Sequence, residues 1–221
     1  MKNHKVIVIG LPKTGTSTLA AMLRMLGYTV NGPEIRYARG DYGFLDQQFQ
    51  DFDAFQDYPW CFEWQRYIDD PSVKYIVLKR DRESWWRSFY ESYGKKDSKY
   101  LSYSYMNLSK TPENRDAFLN FFDAYYAEVA QQATEFPKRF ITLNIGDFEW
   151  KDLCAFLNEP LPKTVFGQVA RKPHANKKHS LVRKTKAYEL QRYIRDFFLP
   201  IIGLKKWNSM VVFLRKNNIY K

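Results

Sequence analysis

Apolar β-branched residues run without interruption through Lys5-Val-Ile-Val-Ile9 and stop at Gly10, the pattern of a strand covered on both faces in a parallel sheet. The period then changes. From Thr16 to Leu26, Leu19, Leu23 and Leu26 recur on one helical face, and Gly27 stands where that helix should end. A short strand is expected at Tyr28 to Val30. Residues 44 to 67 are crowded with aromatics and acids with no sustained period, which predicts short helices and loops. Lys74-Tyr-Ile-Val-Leu-Lys79 reads as the next strand, and Arg80 to Tyr93 as the helix after it, through Trp85, Phe89 and Tyr93. Phe118, Phe122, Tyr125 and Val129 form one stripe within Arg115 to Ala133, as core packing requires. Phe140 to Ile145 predicts another buried strand, Trp150 to Leu157 a short helix, and Pro160 to Pro162 a turn. Strands alternating with helices predict an α/β chain, a three-layer sandwich on a central parallel sheet.

Composition narrows the classes. With 221 residues and 45% of them hydrophobic, the chain can close one substantial core, so a single domain over residues 1–221 is expected. Cys61 and Cys154 lie far apart and match neither a zinc pattern nor a disulfide framework. Buried thiols and a reducing compartment follow. No apolar run approaches the roughly 20 residues of a membrane-spanning helix, and the first strand begins almost at Met1, so the expectation is a soluble, cytoplasmic protein.

Charge is unevenly spread. The net +11 resolves into 14 Lys/Arg against 2 acids in residues 168–221, net +12, leaving 21 against 22, net −1, in the preceding part. This basic quarter, helical over about 181–221, is suited to nucleic acid, an anionic membrane or an anionic ligand, and charge alone does not choose. Within it Trp207, Met210, Val211 and Leu214 fall at helical spacing, flanked by Lys205, Lys206, Arg215 and Lys216. Such a basic amphipathic helix docks on a membrane, pairs with a second copy, or covers the domain's own core.

The chemistry concentrates at Gly10-Leu-Pro-Lys-Thr-Gly-Thr-Ser-Thr18. A loop between a buried strand and a helix aims backbone N–H groups and the positive helix end at one point, where an anion sits. A nucleoside-triphosphate loop would place its lysine directly after Gly15, but Thr16 and Ser17 stand there and the lysine is Lys13. The turn resembles the 5'-phosphosulfate loop of the sulfotransferase family, Pro-Lys-Ser/Thr-Gly-Thr-Thr/Ser. A second stretch, Tyr75 to Tyr90, ends a strand in Arg80 with Ser88 eight residues on, the family's spacing for the residues that hold the donor's 3'-phosphate. Asn144 to Pro162 resembles a bacterial-type branch, and the likeness spans most of residues 5 to 180.

The resemblance implies a P-loop-like sulfotransferase fold, in-line transfer of a sulfuryl group from 3'-phosphoadenosine 5'-phosphosulfate, and no metal. It puts Pro12, Lys13, Thr14, Gly15, Thr16, Ser17 and Thr18 around the donor's 5' end, with Lys13 neutralising charge on the departing phosphate. It gives adenosine 3',5'-bisphosphate as the product. An acceptor hydroxyl or amine must lose a proton as it attacks, so a base is needed. Cytosolic members use the His of a His-Leu-Pro triplet, and Asp57-Tyr58-Pro59 resembles it here, a solvated loop carboxylate being the alternative. A carboxylate in that role needs burial to raise its pKa. Asp57 is the first candidate, then Glu63, then Glu34. Arg171 and Lys172 fall where the family carries a late basic loop closing over the 3'-phosphate, though the glycine-containing form is absent, and a solvated loop is the alternative. His4, His174 and His179 do not cluster at metal spacing and read as surface residues. A kinase-type phosphotransferase using Mg-ATP and a basic binding module stay open as other classes. The expected partners are a small-molecule, glycan or lipid acceptor and, through the basic helix, a membrane surface or second copy; nucleic acid is not expected.

Overall fold

A computed structural model of the chain describes residues 2–34, 37, 42–94, 108–173 and 209–217. Their elements are β1 (Lys5–Ile9), α1 (Thr16–Met25), β2 (Val30–Asn31), α2 (Phe44–Asp51), β3 (Ala54–Phe55), α3 (Trp60–Glu63) with a 3₁₀ turn (Trp64–Tyr67), β4 (Val73–Lys79), α4 (Arg82–Tyr93), α5 (Arg115–Glu135), β5 (Phe140–Asn144) and α6 (Trp150–Leu157). A last helix covers residues 209–216. The α/β class holds. Five strands, all parallel, run in the order β2-β3-β1-β4-β5 and are flanked by helices. The chain divides into two compact units, one of Met1–Thr16 and Tyr28–Phe148, the other of Ser17–Gly27 and Glu149–Lys221.

The first unit holds the sheet. β1 is central, and Val6, Ile7, Val8 and Ile9 have no exposed surface, as the unbroken apolar run requires. It pairs with β4 from Lys5↔Val73 to Ile9↔Val77, and β4 pairs with β5 from Tyr75↔Phe140 to Lys79↔Asn144. Ile7, Ile9, Val73, Tyr75 and Val77 share one core with aromatics of α2 to α5. Rings pack tilted and face to face there: Trp85 lies 4.8 Å from Phe122, Trp86 5.4 Å from Phe118, and Tyr75 4.6 Å from Phe140. Each such pair adds on the order of 1 kcal/mol to the area buried. After β1 the chain builds one side of the sheet and then crosses to the other, and such a reversal opens a crevice at the carboxyl ends of the strands.

Two strand expectations shift. β2 is Val30–Asn31 rather than residues 28 to 30, because Asp53 takes both the amide and the hydroxyl of Thr29 at 2.9 and 2.7 Å, and the Tyr28 hydroxyl pairs with His4 at 2.7 Å. His4 is thus half-buried and bonded rather than a surface histidine. β5 is an edge strand with Thr142 and Asn144 exposed, not one buried throughout, since only β4 pairs with it. β3 was not foreseen. It is two residues long, Ala54 and Phe55, wedged between β2 and β1.

In the second unit α1 ends at Gly27, whose φ of 90° lets its N–H reach back to the Arg24 carbonyl at 3.0 Å. α6 starts on a reciprocal box of Glu149 and Asp152 and stops at Asn158 in the left-handed region. Lys163 and Val169 form an antiparallel bridge. Both cysteines are buried free thiols. Among the described residues no helix is long and apolar enough to cross a membrane. Trp207, Lys205, Lys206, His174 and His179 lie outside the described residues.

Candidate active site

The turn after β1 is held from three directions. Inside it, Thr14 is fully buried and gives both its N–H, at 3.2 Å, and its hydroxyl, at 2.7 Å, to the Leu11 carbonyl. From α4 the indole N–H of Trp85 donates to the Pro12 carbonyl at 3.0 Å, and from the end of β4 Arg80 donates to the Lys13 carbonyl at 2.9 Å. A Cβ at Gly10 would stand 2.7 Å from the Thr14 hydroxyl and 2.9 Å from the Leu78 Cβ, so only glycine leaves room for the turn. Gly15 takes a φ of 101° and Lys13 a φ of 78°. These two left-handed positions turn the chain into Thr16, the first residue of α1, and a helix N-terminus favours a nearby anion. The Lys13 ammonium lies 5.9 Å from the Tyr93 ring centroid.

Asp57 follows β3 by two residues and also sits at positive φ, 63°. Of the three described non-glycine residues with positive φ, Asn158 ends a helix. The other two are Lys13 and Asp57. A strained backbone costs on the order of 1 kcal/mol or more and persists where surrounding contacts hold it. Here the Asp57 carbonyl accepts from the Cys61 amide at 3.0 Å, one carboxylate oxygen accepts from the Tyr58 amide at 2.8 Å, and the other meets the Thr16 hydroxyl at 3.4 Å. Loss of hydration pushes this carboxyl above its ordinary value, against the pull of those two hydrogen bonds and the Lys13 charge. Partial burial likewise holds the Arg80 guanidinium below its ordinary range, where it is still fully charged.

Lys13 on the turn, Arg80 bonded to its carbonyl from the end of β4, and the desolvated Asp57 carboxylate bonded to Thr16 thus meet at one strand-to-helix turn. The profile of one family, described as a sulfotransferase domain, matches residues 5–181. The chain belongs to the sulfotransferase family. No curated protein matches it.

Other residues of this sulfotransferase stand as follows. Ser17 and Thr18 occupy the first turn of α1, and Ser88 is half-buried on α4. Glu63 ends α3 and accepts a hydrogen bond from the Tyr37 hydroxyl. Burial and that bond raise Tyr37 well above the ordinary tyrosine range, so it stays the donor. Glu34 accepts from the Asn31 amide at 3.0 Å. Asp57 meets the end of the loop through the Thr16 hydroxyl. In the second unit Arg171 is exposed and Lys172 pairs with Glu149 at 3.6 Å. The described residues contain no His, Cys, Asp and Glu group able to hold a metal ion.

Three supports of the turn carry no sequence signal of their own. Trp85 reads as one more core aromatic, and its indole bond to Pro12 spans 73 residues of sequence. Ile145 would lie 3.1 Å from a Cβ at Gly15 and so walls that side of the loop. Tyr126 bonds the Leu78 carbonyl at 2.7 Å, beside Gly10.

Proposed function

We propose that the chain transfers a sulfuryl group from 3'-phosphoadenosine 5'-phosphosulfate to a hydroxyl or amine of a small-molecule, glycan or lipid acceptor. One observation carries this reading. Lys13, Arg80 and Asp57 converge on a single strand-to-helix turn, Arg80 through the Lys13 carbonyl and Asp57 through Thr16.

The residues fit an anionic donor. The turn at Lys13 to Thr16 and the start of α1 offer partial positive charge to a phosphate or sulfate. Pro12, Thr14 and Gly15 set its shape, and the hydroxyls of Thr16, Ser17 and Thr18 add donors. Arg80 and Ser88 are assigned to a second phosphate, for which a guanidinium fork is suited. When bound, the donor supplies an activated sulfuryl group whose transfer leaves negative charge on a phosphate oxygen. Lys13 keeps an ammonium where such charge is stabilised, and the fixed loop spares reorganisation. Asp57 takes the acceptor's proton on a carboxylate oxygen, and its raised affinity for protons suits it to that task.

Thermal unfolding of the full chain tests the reading. Adenosine 3',5'-bisphosphate should stabilise it, by about 2.7 kcal/mol at a hundredfold excess over Kd, equally well with a chelator present. A shift with Mg-ATP and none with the bisphosphate overturns the proposal in favour of a phosphotransferase. The acceptor is then found by screening candidate hydroxyls and amines for gain of the sulfuryl mass.

A further inference from the structure

The second unit exposes apolar side chains in two places that one asparagine joins. The first is a tight hairpin. Lys163 bridges Val169, the Thr164 amide bonds the Gln168 carbonyl at 2.7 Å, and the Gly167 amide returns to the Thr164 carbonyl at 3.0 Å. The Phe166 amide meets the Thr164 hydroxyl at 3.3 Å. This bonding is complete without the side chains at the tip, yet the tip carries Val165, 68% exposed, and Phe166, 88% exposed. The second place is the 209–216 helix, where Met210 and Phe213, three residues apart and so on one face, are 40% and 55% exposed. Asn217 clasps the two. Its amide and side-chain N–H groups hold the Phe213 carbonyl at 3.1 and 2.9 Å, while its side-chain oxygen accepts the Val165 amide at 2.9 Å.

Cations flank these apolar tips. Lys163 is exposed at the base of the hairpin, and Lys216 follows Phe213 by three residues on the same helical face. The sequence from 168 to 221 adds net +12.

We propose that the Val165–Phe166 tip and the Met210/Phe213 face form one surface that docks on an anionic lipid bilayer. Charge complementarity selects that occupant. The centre of a protein interface is depleted in charge, lysine above all, whereas isolated apolar side chains flanked by Lys and Arg match the boundary between headgroups and acyl chains. Val165, Phe166 and Phe213 enter the boundary while Lys163 and Lys216 reach the phosphates. The surface is separate from the catalytic proposal, and its test needs no turnover.

Sedimentation of the full chain with vesicles provides that test. Binding is expected to vesicles of phosphatidylcholine containing about one-third phosphatidylserine, to weaken as salt is raised, and to be much weaker on phosphatidylcholine alone. The double variant Val165→Ser/Phe166→Ser should lose at least about tenfold in partitioning, as removal of one inserted aromatic implies, with its thermal midpoint unchanged because both side chains are exposed. Phe213→Ser should lose a comparable factor on the other element. Equal binding to the two vesicle types, or undiminished binding by both variants, overturns the proposal. So does a dimer on gel filtration that either variant converts to monomer, since the surface would then belong to a second copy.

Discussion

Lys13 supplies to the turn both a side-chain charge and a main-chain carbonyl, and the two can be separated. Replacing it with alanine removes the ammonium and leaves the carbonyl that Arg80 holds. Turnover should fall by about 10²–10³ or more, as for loss of one preorganised charge, while affinity for the bisphosphate changes less; steady-state kinetics and calorimetry read the two separately. Asp57→Asn should lower turnover by about 10²–10⁴ and spare donor affinity. The same substitution has a predicted sign for stability. The folded state raises this carboxyl above its ordinary 3.8, so it binds its proton more tightly than the unfolded chain does. The favourable contribution is present below that value and is lost as pH rises through the raised one. Asp57→Asn should therefore melt higher than the parent at neutral pH, the difference closing in acid. The strand-to-helix turn that carries Lys13 was legible from the apolar run before it and the helical stripe after it. The contact of Asp57 with Thr16 was not, because 41 residues separate them and no local period reports such a meeting.

Single positions also govern how the elements set the loop. Trp85 is fully buried in α4 and stacks near Phe89 and Phe122, so Trp85→Phe keeps a ring there and removes the indole donor to Pro12. A loss of about 1 kcal/mol in urea unfolding is expected, with weaker bisphosphate binding. Gly10→Ala forces a methyl against Thr14 and Leu78 and should cost about 1–3 kcal/mol by overpacking. Elements with a long period were legible in sequence: β1 by its unbroken apolar run, α1 and α5 by their stripes, α6 to the residue. β3 was not, because Ala54 and Phe55 carry no alternation and gain their strand geometry only by filling the place between β1 and β2. The edge position of β5 escaped for the same reason, since whether a strand has a second neighbour is decided by the rest of the chain.

Over the whole molecule the charge is lopsided, with net −1 up to residue 167 and net +12 beyond it. A positive field of this size should speed the encounter with an anionic nucleotide. Raising salt from about 0.02 to about 0.5 M is expected to slow bisphosphate association by roughly tenfold and to leave dissociation little changed, because the Debye length shrinks while the close contacts persist; stopped-flow binding measures both. Residue counts foretold the imbalance and the alternating patterns the α/β class, but neither foretold that the Val165–Phe166 tip and the 209–216 helix would be joined through Asn217, since a turn tip has no periodicity to read. The hold of Arg80 on main chain rather than side chain at position 13 also has a practical use. A full chain carrying Lys13→Ala keeps its loop tied in place while losing turnover, so immobilised with the bisphosphate it becomes bait that retains, unconverted, the compound the enzyme acts on.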